Sequence, residues 1–81
     1  MATFGERLKQ LRFENKIMQK DLAAALSITP RALKYYEDNR REPTLRVIGF
    51  LCGYFNCSAD YLLGLSDIPS PIERIDPHDE R

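Results

Sequence analysis

The stretch from residue 18 to residue 43 constrains the fold of this 81-residue chain more than any other part. It reads MQKDLAAALSITPRALKYYEDNRREP. Strong helix formers dominate its first part, where Leu22, Ala23 and Leu26 lie at i, i+1 and i+4 and form one apolar stripe. A second helical pattern follows after a short break at residues 27–28. The stretch therefore predicts two short helices joined by a tight turn.

The second of these helices has two chemically different faces. Thr29 offers a side-chain oxygen as its N-cap, and Pro30 suits the first helical position, where no N–H is needed. On a wheel of about 100° per residue, one side holds Ala32, Leu33 and Tyr36. The opposite side holds Pro30, Arg31, Lys34 and Tyr35. The first side is predicted to pack against the preceding helix, while the second faces something outside the protein.

Three further helices are predicted around this pair. The first covers residues 3–14, where Thr3 and Glu6 have the spacing of a capping box. The fourth covers residues 45–55, and its predicted core side chains are Leu45, Ile48, Leu51, Cys52 and Phe55. The fifth covers residues 59–63. Left-handed helix ends are predicted at Ser27, Asn39, Asn56 and Gly64.

These segments together resemble the λ-repressor-like (Xre/Cro-type) helix-turn-helix family of bacterial and phage transcription regulators. The resemblance is carried by GERLKQLRFENK, MQKDLA, SITPRALKYYEDNRREPT and CSADYLLG, in the family's order, from about Phe4 to Leu65. It implies an all-α, compact five-helix DNA-binding domain over residues 1–65, with the helix-turn-helix at helices 2 and 3. The sequence departs from the family at Met18, where a capping Ser or Thr is usual, and at Ser27, where Gly is usual.

The neutral net charge conceals an uneven distribution of charge. Residues 1–65 hold ten Lys and Arg against seven Asp and Glu, whereas residues 66–81 hold two against five. A basic body fits a nucleic-acid binder, because positive charge must face phosphates locally. Residues 66–81 also contain three prolines and are interpreted either as a disordered acidic tail or as an arm that docks through Ile68, Ile72 and Ile75.

The resemblance implies how particular residues would contact double-stranded DNA. Side chains predicted to face base pairs are Pro30, Arg31, Lys34 and Tyr35, with Arg31 and Lys34 as donors to guanine. Side chains predicted to bind phosphates are Arg12, Gln19, Thr29, Arg40 and Arg41. Two of these have a second interpretation, since Arg12 and Gln19 would also suit an ordinary solvated surface. The expected assembly is a homodimer whose contact includes Tyr61, Leu62 and Leu65.

The two cysteines, Cys52 and Cys57, are interpreted as small buried hydrophobes in a reducing compartment. A redox-sensing pair is the alternative. With a single histidine, His78, the chain has too few ligands for a structural zinc site. We therefore expect no metal and no cofactor.

The sequence favours a transcriptional regulator, of the prophage or mobile-element repressor type that the resemblance implies. Two alternatives remain: an antitoxin-type protein with a toxin partner, and a protein-interaction module in which DNA binding is secondary. An enzyme is not expected, because no nucleophile–base set, metal cluster or Gly-rich phosphate loop is present. No small-molecule ligand is evident. No apolar run approaches the roughly 20 residues that span a bilayer, and a cytoplasmic location is expected.

Overall fold

The computed structural model describes residues 2–69, and over that range the fold is all-α without a strand. The five helices are α1 (Phe4–Glu14), α2 (Gln19–Leu26), α3 (Pro30–Glu37), α4 (Leu45–Phe55) and α5 (Ala59–Leu62). The predicted five-helix architecture is thus confirmed, with α5 one residue shorter than predicted. Within the same range no helix has the length and apolar character needed to cross a membrane.

Hydroxyl side chains begin four of the five helices. The Thr3 hydroxyl accepts the backbone N–H of Glu6 at 3.1 Å, and the Glu6 carboxylate accepts the N–H of Thr3 at 3.0 Å, which completes the predicted capping box. Thr29, Thr44 and Ser58 cap their helices in the same way. At α2 the N-cap is Met18, which makes no side-chain hydrogen bond. The first backbone N–H groups of α2 are therefore not covered by a capping side chain.

Left-handed residues follow the helices where the sequence predicts them. The φ angle is 61° at Ser27, 61° at Asn39, 53° at Asn56 and 82° at Gly64. Lys16, after α1, also has a positive φ of 55°, which the sequence analysis did not predict. Asparagine and glycine tolerate this conformation well, whereas a lysine or serine adopts it at a cost in conformational energy.

The core lies where the five helices meet. Its buried apolar side chains are Leu8, Leu11, Leu22, Ala23, Leu26, Leu33, Tyr36, Val47, Leu51, Cys57, Tyr61 and Leu62. Helix α3 packs against both α1 and α2, while α5 packs against α1 and α4. One face of α3 is therefore held by two other helices, which fixes the direction in which its opposite face points.

The predicted core face of α4 is partly wrong. Leu45 was expected inside but is 90% exposed, and Val47, which was not singled out, is only 2% exposed. On the helical wheel Val47 lies about 160° from Leu45, so both cannot face the core. The prediction failed because α4 has apolar residues nearly all round, with Arg46 as its one charged residue. Hydrophobicity alone then does not identify the buried side.

The start of α1 touches the end of α3 through a glycine. A Cβ atom on Gly5 would collide with the carbonyl oxygen of Glu37 and would lie 2.7 Å from that of Tyr36. The Gly5 N–H donates to the Asn39 side-chain oxygen at 2.9 Å, and the Asn39 amide donates to the Thr3 hydroxyl at 2.8 Å. Asn39 therefore does more than end α3, because its side chain also ties α3 to α1.

Residues 66–69, assigned to the tail by the sequence, lie against the helical body. The buried Arg7 guanidinium donates to the Ser66 carbonyl and to the Asp67 carboxylate, both at 3.4 Å, and stacks 3.9 Å from the centre of the Tyr61 ring. The Ser58 N–H donates to the Pro69 carbonyl at 3.1 Å. The predictions for Ile72, Ile75 and His78 lie outside the described residues.

Candidate nucleic-acid interface

The exposed face of α3 has the composition that the sequence predicts. Leu33 and Tyr36 are buried against the protein, whereas Pro30, Arg31 and Lys34 are exposed. Tyr35 is half-buried at the edge of this face. The geometry therefore presents the two cations outward from a helix whose other side is fixed.

The turn between α2 and α3 brings the two helices close together. Ser27 is left-handed, and the following Ile28 N–H donates to the Ala23 carbonyl at 2.9 Å, which closes the end of α2. Ala23 is fully buried in the core. Thr29 then caps α3 by accepting the Ala32 N–H at 3.0 Å. The exposed Thr29 hydroxyl keeps its own proton free to donate, as a phosphate contact requires.

A buried carboxylate connects three helices beneath this face. Glu37 accepts from the Arg12 Nε at 2.6 Å, from the Arg12 Nη2 at 3.2 Å and from the Gln19 Nε2 at 3.0 Å. Arg12 also donates to the Ile17 carbonyl at 3.1 Å. Glu37 belongs to α3, Arg12 to α1 and Gln19 to α2.

This pairing changes the interpretation of Arg12. Its side chain is 9% exposed and its guanidinium is paired with a carboxylate, so the alternative of a solvated surface cation is wrong. Glu37 and Ile17 accept from three of its five N–H groups, so a phosphate contact through the others stays a prediction. Gln19 has only one of its two amide N–H groups committed to Glu37, and the other is available to a ligand.

Two neighbouring acidic residues at the end of α3 are both ion-paired. Glu37 pairs with Arg12, and Asp38 pairs with Lys34 at 3.4 Å. The Lys34–Asp38 pair is exposed on the helix surface, where such pairs contribute little. Lys34 is therefore weakly held and can exchange this partner for another acceptor.

A cleft beside α3 contains two lysines, Lys9 and Lys20, for which no binding role was predicted from the sequence. It lies between the end of α1, the start of α2 and the side of α3, and its cations include Lys9, Lys20 and Lys34. Lys20 directly follows Gln19 at the start of α2, which is the signal that could have drawn attention to it. The cleft thus extends the positive surface from α3 to the start of α2.

Two of the three residues predicted to form the dimer contact are inside the protomer. Leu62 is fully buried and Tyr61 is 5% exposed, so neither side chain is available to a partner. Both pack in the core because α5 lies between α1 and α4. Leu65 is 65% exposed and remains available. A shallow apolar groove near α5 also has Leu45, Ile48 and Leu63 among its lining residues.

The cysteines are both free thiols. Burial first, and the neighbouring Cys52 thiol second, raise the pKa of Cys57 to about 11. Burial likewise raises the pKa of Cys52. Thiols that stay protonated at neutral pH are poor nucleophiles, which favours the buried-hydrophobe interpretation over a redox pair. Among residues 2–69 no three His, Cys, Asp or Glu side chains form a group that could hold a metal ion.

A capped helix following a tight turn, with one side fixed and a cationic side exposed, defines a helix-turn-helix protein. A family model described as a helix-turn-helix domain matches residues 5–68 of the chain. The chain therefore belongs to the helix-turn-helix family, and its fold is of the λ-repressor-like type that its sequence resembles.

Similar sequences occur among regulators of Bacillus subtilis strain 168. The chain is 36% identical to the uncharacterized HTH-type transcriptional regulator YobD over 72 residues, which is 88% of this chain and 64% of YobD. It is 35% identical to the HTH-type transcriptional regulator ImmR over 71 residues, 88% of this chain and 56% of ImmR. It is 37% identical to the SPbeta prophage-derived regulator YonR over 60 residues, 74% of this chain and 56% of YonR. The match thus spans less than two thirds of each regulator.

A solved structure has a similar fold. The crystal structure of the P22 c2 repressor protein in complex with a synthetic operator superposes with a TM-score of 0.74 at 29% identity. The similarity covers 82% of this chain and all of that one. The five-helix arrangement is therefore one that also occurs in a repressor bound to its operator.

Proposed function

We propose that this chain binds double-stranded DNA sequence-specifically and regulates transcription. The observation that carries the proposal is the outward-facing side of α3, with Arg31 and Lys34 exposed on a helix whose opposite side is buried. A helix of this kind fits the major groove, where each base pair presents its own pattern of donors and acceptors. The similarity to HTH-type regulators and to an operator-bound repressor supports this assignment.

In the proposed complex Arg31 and Lys34 donate to guanine O6 and N7. Pro30 lacks an N–H, so its contribution is van der Waals contact with a base edge or selection by shape. The Gln19 amide, the uncapped start of α2 and the Thr29 hydroxyl bind phosphates on one side of the groove. Arg40 and Arg41 bind phosphates on the other side. These phosphate contacts set the position of α3 along the duplex.

We further propose that the protein acts as a homodimer on a palindromic operator. One protomer presents one reading helix, and a two-fold dimer would place two such helices on half-sites about 34 Å apart. The contact involves Leu65 together with the exposed apolar side chains Leu45 and Leu63, because Tyr61 and Leu62 face the core. A second copy is the proposed occupant of this surface, since a palindrome requires the two reading helices to be related by symmetry.

Repression is the regulatory outcome that we propose, by occlusion of RNA polymerase from a promoter that contains the operator. The similarity to a prophage-derived regulator and to the P22 c2 repressor supports a prophage or mobile-element setting. No catalytic step is part of this proposal.

The direct experiment is selection of bound duplexes from a random pool at two salt concentrations. The proposal expects a palindromic motif and an affinity that falls steeply with salt, by about 0.9 in log K per log unit for each phosphate contacted. Replacement of Arg31 by Ala should cost roughly 1–3 kcal/mol and relax the preference at one base pair. Arg46→Ala is the matched control, because Arg46 is an exposed arginine on α4. The absence of any enriched motif would contradict sequence-specific binding.

A protein-interaction module, including the antitoxin type, is the second candidate function. The observation that favours it is the exposed aromatic side of α4, where Phe50 and Tyr54 stack with ring centres 5.5 Å apart. Weak binding to duplex DNA with little dependence on salt, together with a stable complex with a second protein, would favour this alternative.

A further inference from the structure

The Tyr35 ring lies among three guanidinium groups. The centre of the ring is 5.9 Å from the Arg31 guanidinium carbon, 5.8 Å from that of Arg40 and 5.5 Å from that of Arg41. Arg31 lies one turn earlier on α3, while Arg40 and Arg41 follow the end of that helix. Within residues 2–69 none of the ion pairs includes these arginines. The fold thus gathers three positive charges around one ring, with no negative partner in that range.

The Tyr35 hydroxyl is engaged by one of these arginines. The Arg31 Nε donates to the Tyr35 oxygen at 3.2 Å, across one helical turn. Tyr35 is half-buried, whereas Arg31 and Lys34 are exposed beside it. The tyrosine would have to break this bond and turn outward to touch a base edge. The arginine is therefore better placed than the phenol to reach the base.

The arrangement around the ring leaves an open space. By comparison, the guanidinium carbon of Arg7 stacks over the Tyr61 ring at 3.9 Å from the ring centre. The three arginines around Tyr35 lie near the limit of about 6 Å for cation–π attraction, so they surround the ring without covering it closely. Tyr35, Arg40 and Arg41 line a small surface cleft. Two guanidiniums beside such a cleft supply positive charge and N–H donors to the oxygens of a phosphate group.

We infer that Tyr35 is a positioning residue, which acts on DNA through the three arginines and does not read a base itself. Its hydroxyl holds Arg31 in the direction of the base edges. Its ring holds Arg40 and Arg41 around a cleft that takes one phosphodiester group of the DNA backbone. This inference rests on the proposed DNA-binding function and changes the predicted role of Tyr35 from a base contact to a support for its neighbours.

The test compares Tyr35→Phe, Arg31→Ala and the double variant on the selected duplex and on its single-base-pair substitutions. Tyr35→Phe keeps the ring and removes the hydroxyl, so it should weaken the preference at the base pair read by Arg31 by about five-fold. In the double variant Tyr35→Phe should add no further loss to Arg31→Ala, because the hydroxyl acts through that arginine. Loss of preference at a different base pair, or additive losses, would overturn the inference.

A second measurement addresses the ring. Tyr35→Leu removes the ring as well as the hydroxyl, so it is compared with Tyr35→Phe. Relative to Tyr35→Phe it should reduce affinity further and equally for all duplexes, and lower the slope of log K against log salt by about 0.9, the value for one lost phosphate contact. Tyr54→Leu is the matched control, since Tyr54 is exposed on α4 and should leave that slope unchanged. A slope that Tyr35→Leu does not change would overturn the phosphate part of the inference. Unfolding of each variant by urea, compared with the wild type, verifies that the losses arise in the folded protein.

A third measurement uses the free protein without DNA. The side-chain Nε–H signal of Arg31, followed by NMR in the free protein, should shift and exchange faster with water in Tyr35→Phe, and an unchanged signal would contradict the hydroxyl's role. A wild-type protein that selects no motif would overturn the proposed function. A wild-type motif that Tyr35→Phe relaxes at a base pair other than that of Arg31 would overturn only the present inference.

Discussion

Glu37 is the residue on which the placement of α3 most depends. Its carboxylate is buried and accepts three hydrogen bonds, two from Arg12 and one from Gln19. Each partner belongs to a different helix, so one side chain fixes α3 relative to both α1 and α2. A buried ion pair of this kind contributes little net stability compared with apolar packing, but loss of one partner is costly.

The first prediction concerns this pair. Glu37→Gln should destabilise the protein by about 3–5 kcal/mol, because it leaves the Arg12 charge buried without a carboxylate. Urea unfolding measures the change. Glu14→Gln is the control, since Glu14 is exposed and accepts from Gln10 on the helix surface, and its unfolding midpoint should stay near that of the wild type. The combined replacement Arg12→Met with Glu37→Leu should be less destabilising than Glu37→Gln alone. If Glu37→Gln lowered the free energy of unfolding as little as Glu14→Gln does, the Arg12–Glu37 pair would not have the structural role described.

The second prediction concerns the pH dependence of Cys57. Burial raises its pKa from the ordinary 9.0 to about 11, so the native state favours the protonated thiol. The contribution of the Cys57 thiol to the free energy of unfolding is therefore fully present below pH 9. It is lost as the pH rises from 9 through 11, because the thiol of the unfolded chain ionises first. Alkylation of Cys57 by iodoacetamide should still accelerate between pH 9 and 11 in the folded protein. In urea-unfolded protein it should level off near pH 9. Identical profiles in the two states would rule out the proposed effect of burial.

At the scale of the helices, most of the structure could be predicted from local sequence. Capping hydroxyls and left-handed Asn and Gly residues act within a few neighbouring positions, so their pattern identifies helix ends directly. Contacts between distant segments could not be predicted in this way. The Arg12–Glu37 pair joins residues 25 positions apart, and the Gly5–Asn39 bond joins residues 34 apart. The buried side of α4 was also misjudged, because its sequence lacks a polar face to contrast with the core.

In the candidate interface, too, local sequence predicts some features, while others depend on contacts between distant segments. The outward side of α3 followed from its helical periodicity, and Arg31 and Lys34 are exposed as predicted. Whether a cation on another helix is solvated depends on tertiary contacts, and for this reason the ion pair of Arg12 with Glu37 could not be predicted. The position of α5 likewise decides that Tyr61 and Leu62 are core residues.

The third prediction compares two glycines in helices. Gly5→Ala should be strongly destabilising, because its Cβ would collide with backbone carbonyls of α3 that cannot easily move. Gly53→Ala should instead stabilise α4 by about 0.5–1 kcal/mol, because alanine is the better helix former and, among residues 2–69, nothing beyond the adjoining turns of α4 lies within 4 Å of its Cβ position. Thermal unfolding of both variants checks the opposite signs. Equal changes in melting temperature for the two variants would show that the contact between α1 and α3 is looser than described.

At the scale of the whole molecule, the feature to test is the proposed homodimer. The fourth prediction is that Leu45→Glu weakens the homodimer, because the carboxylate would be buried among apolar side chains of the partner. Sedimentation equilibrium should show a shift toward monomer, and binding to a palindrome should fall more than binding to one half-site. Tyr54→Glu is the control, since Tyr54 is also exposed on α4 and is not part of the proposed contact. A dimer that persists unchanged in Leu45→Glu would show that another surface is used.

The three-helix link through Glu37 has a consequence for how accurately operators can be discriminated. In the proposed complex Gln19 meets the sugar–phosphate chain while α3 meets the bases, and a single carboxylate sets the spacing between them. A protein with rigid spacing cannot shift to accommodate a mismatched duplex, so errors in sequence carry their full energetic penalty. Relaxing this link should therefore reduce fidelity between related operators before it abolishes attachment to DNA.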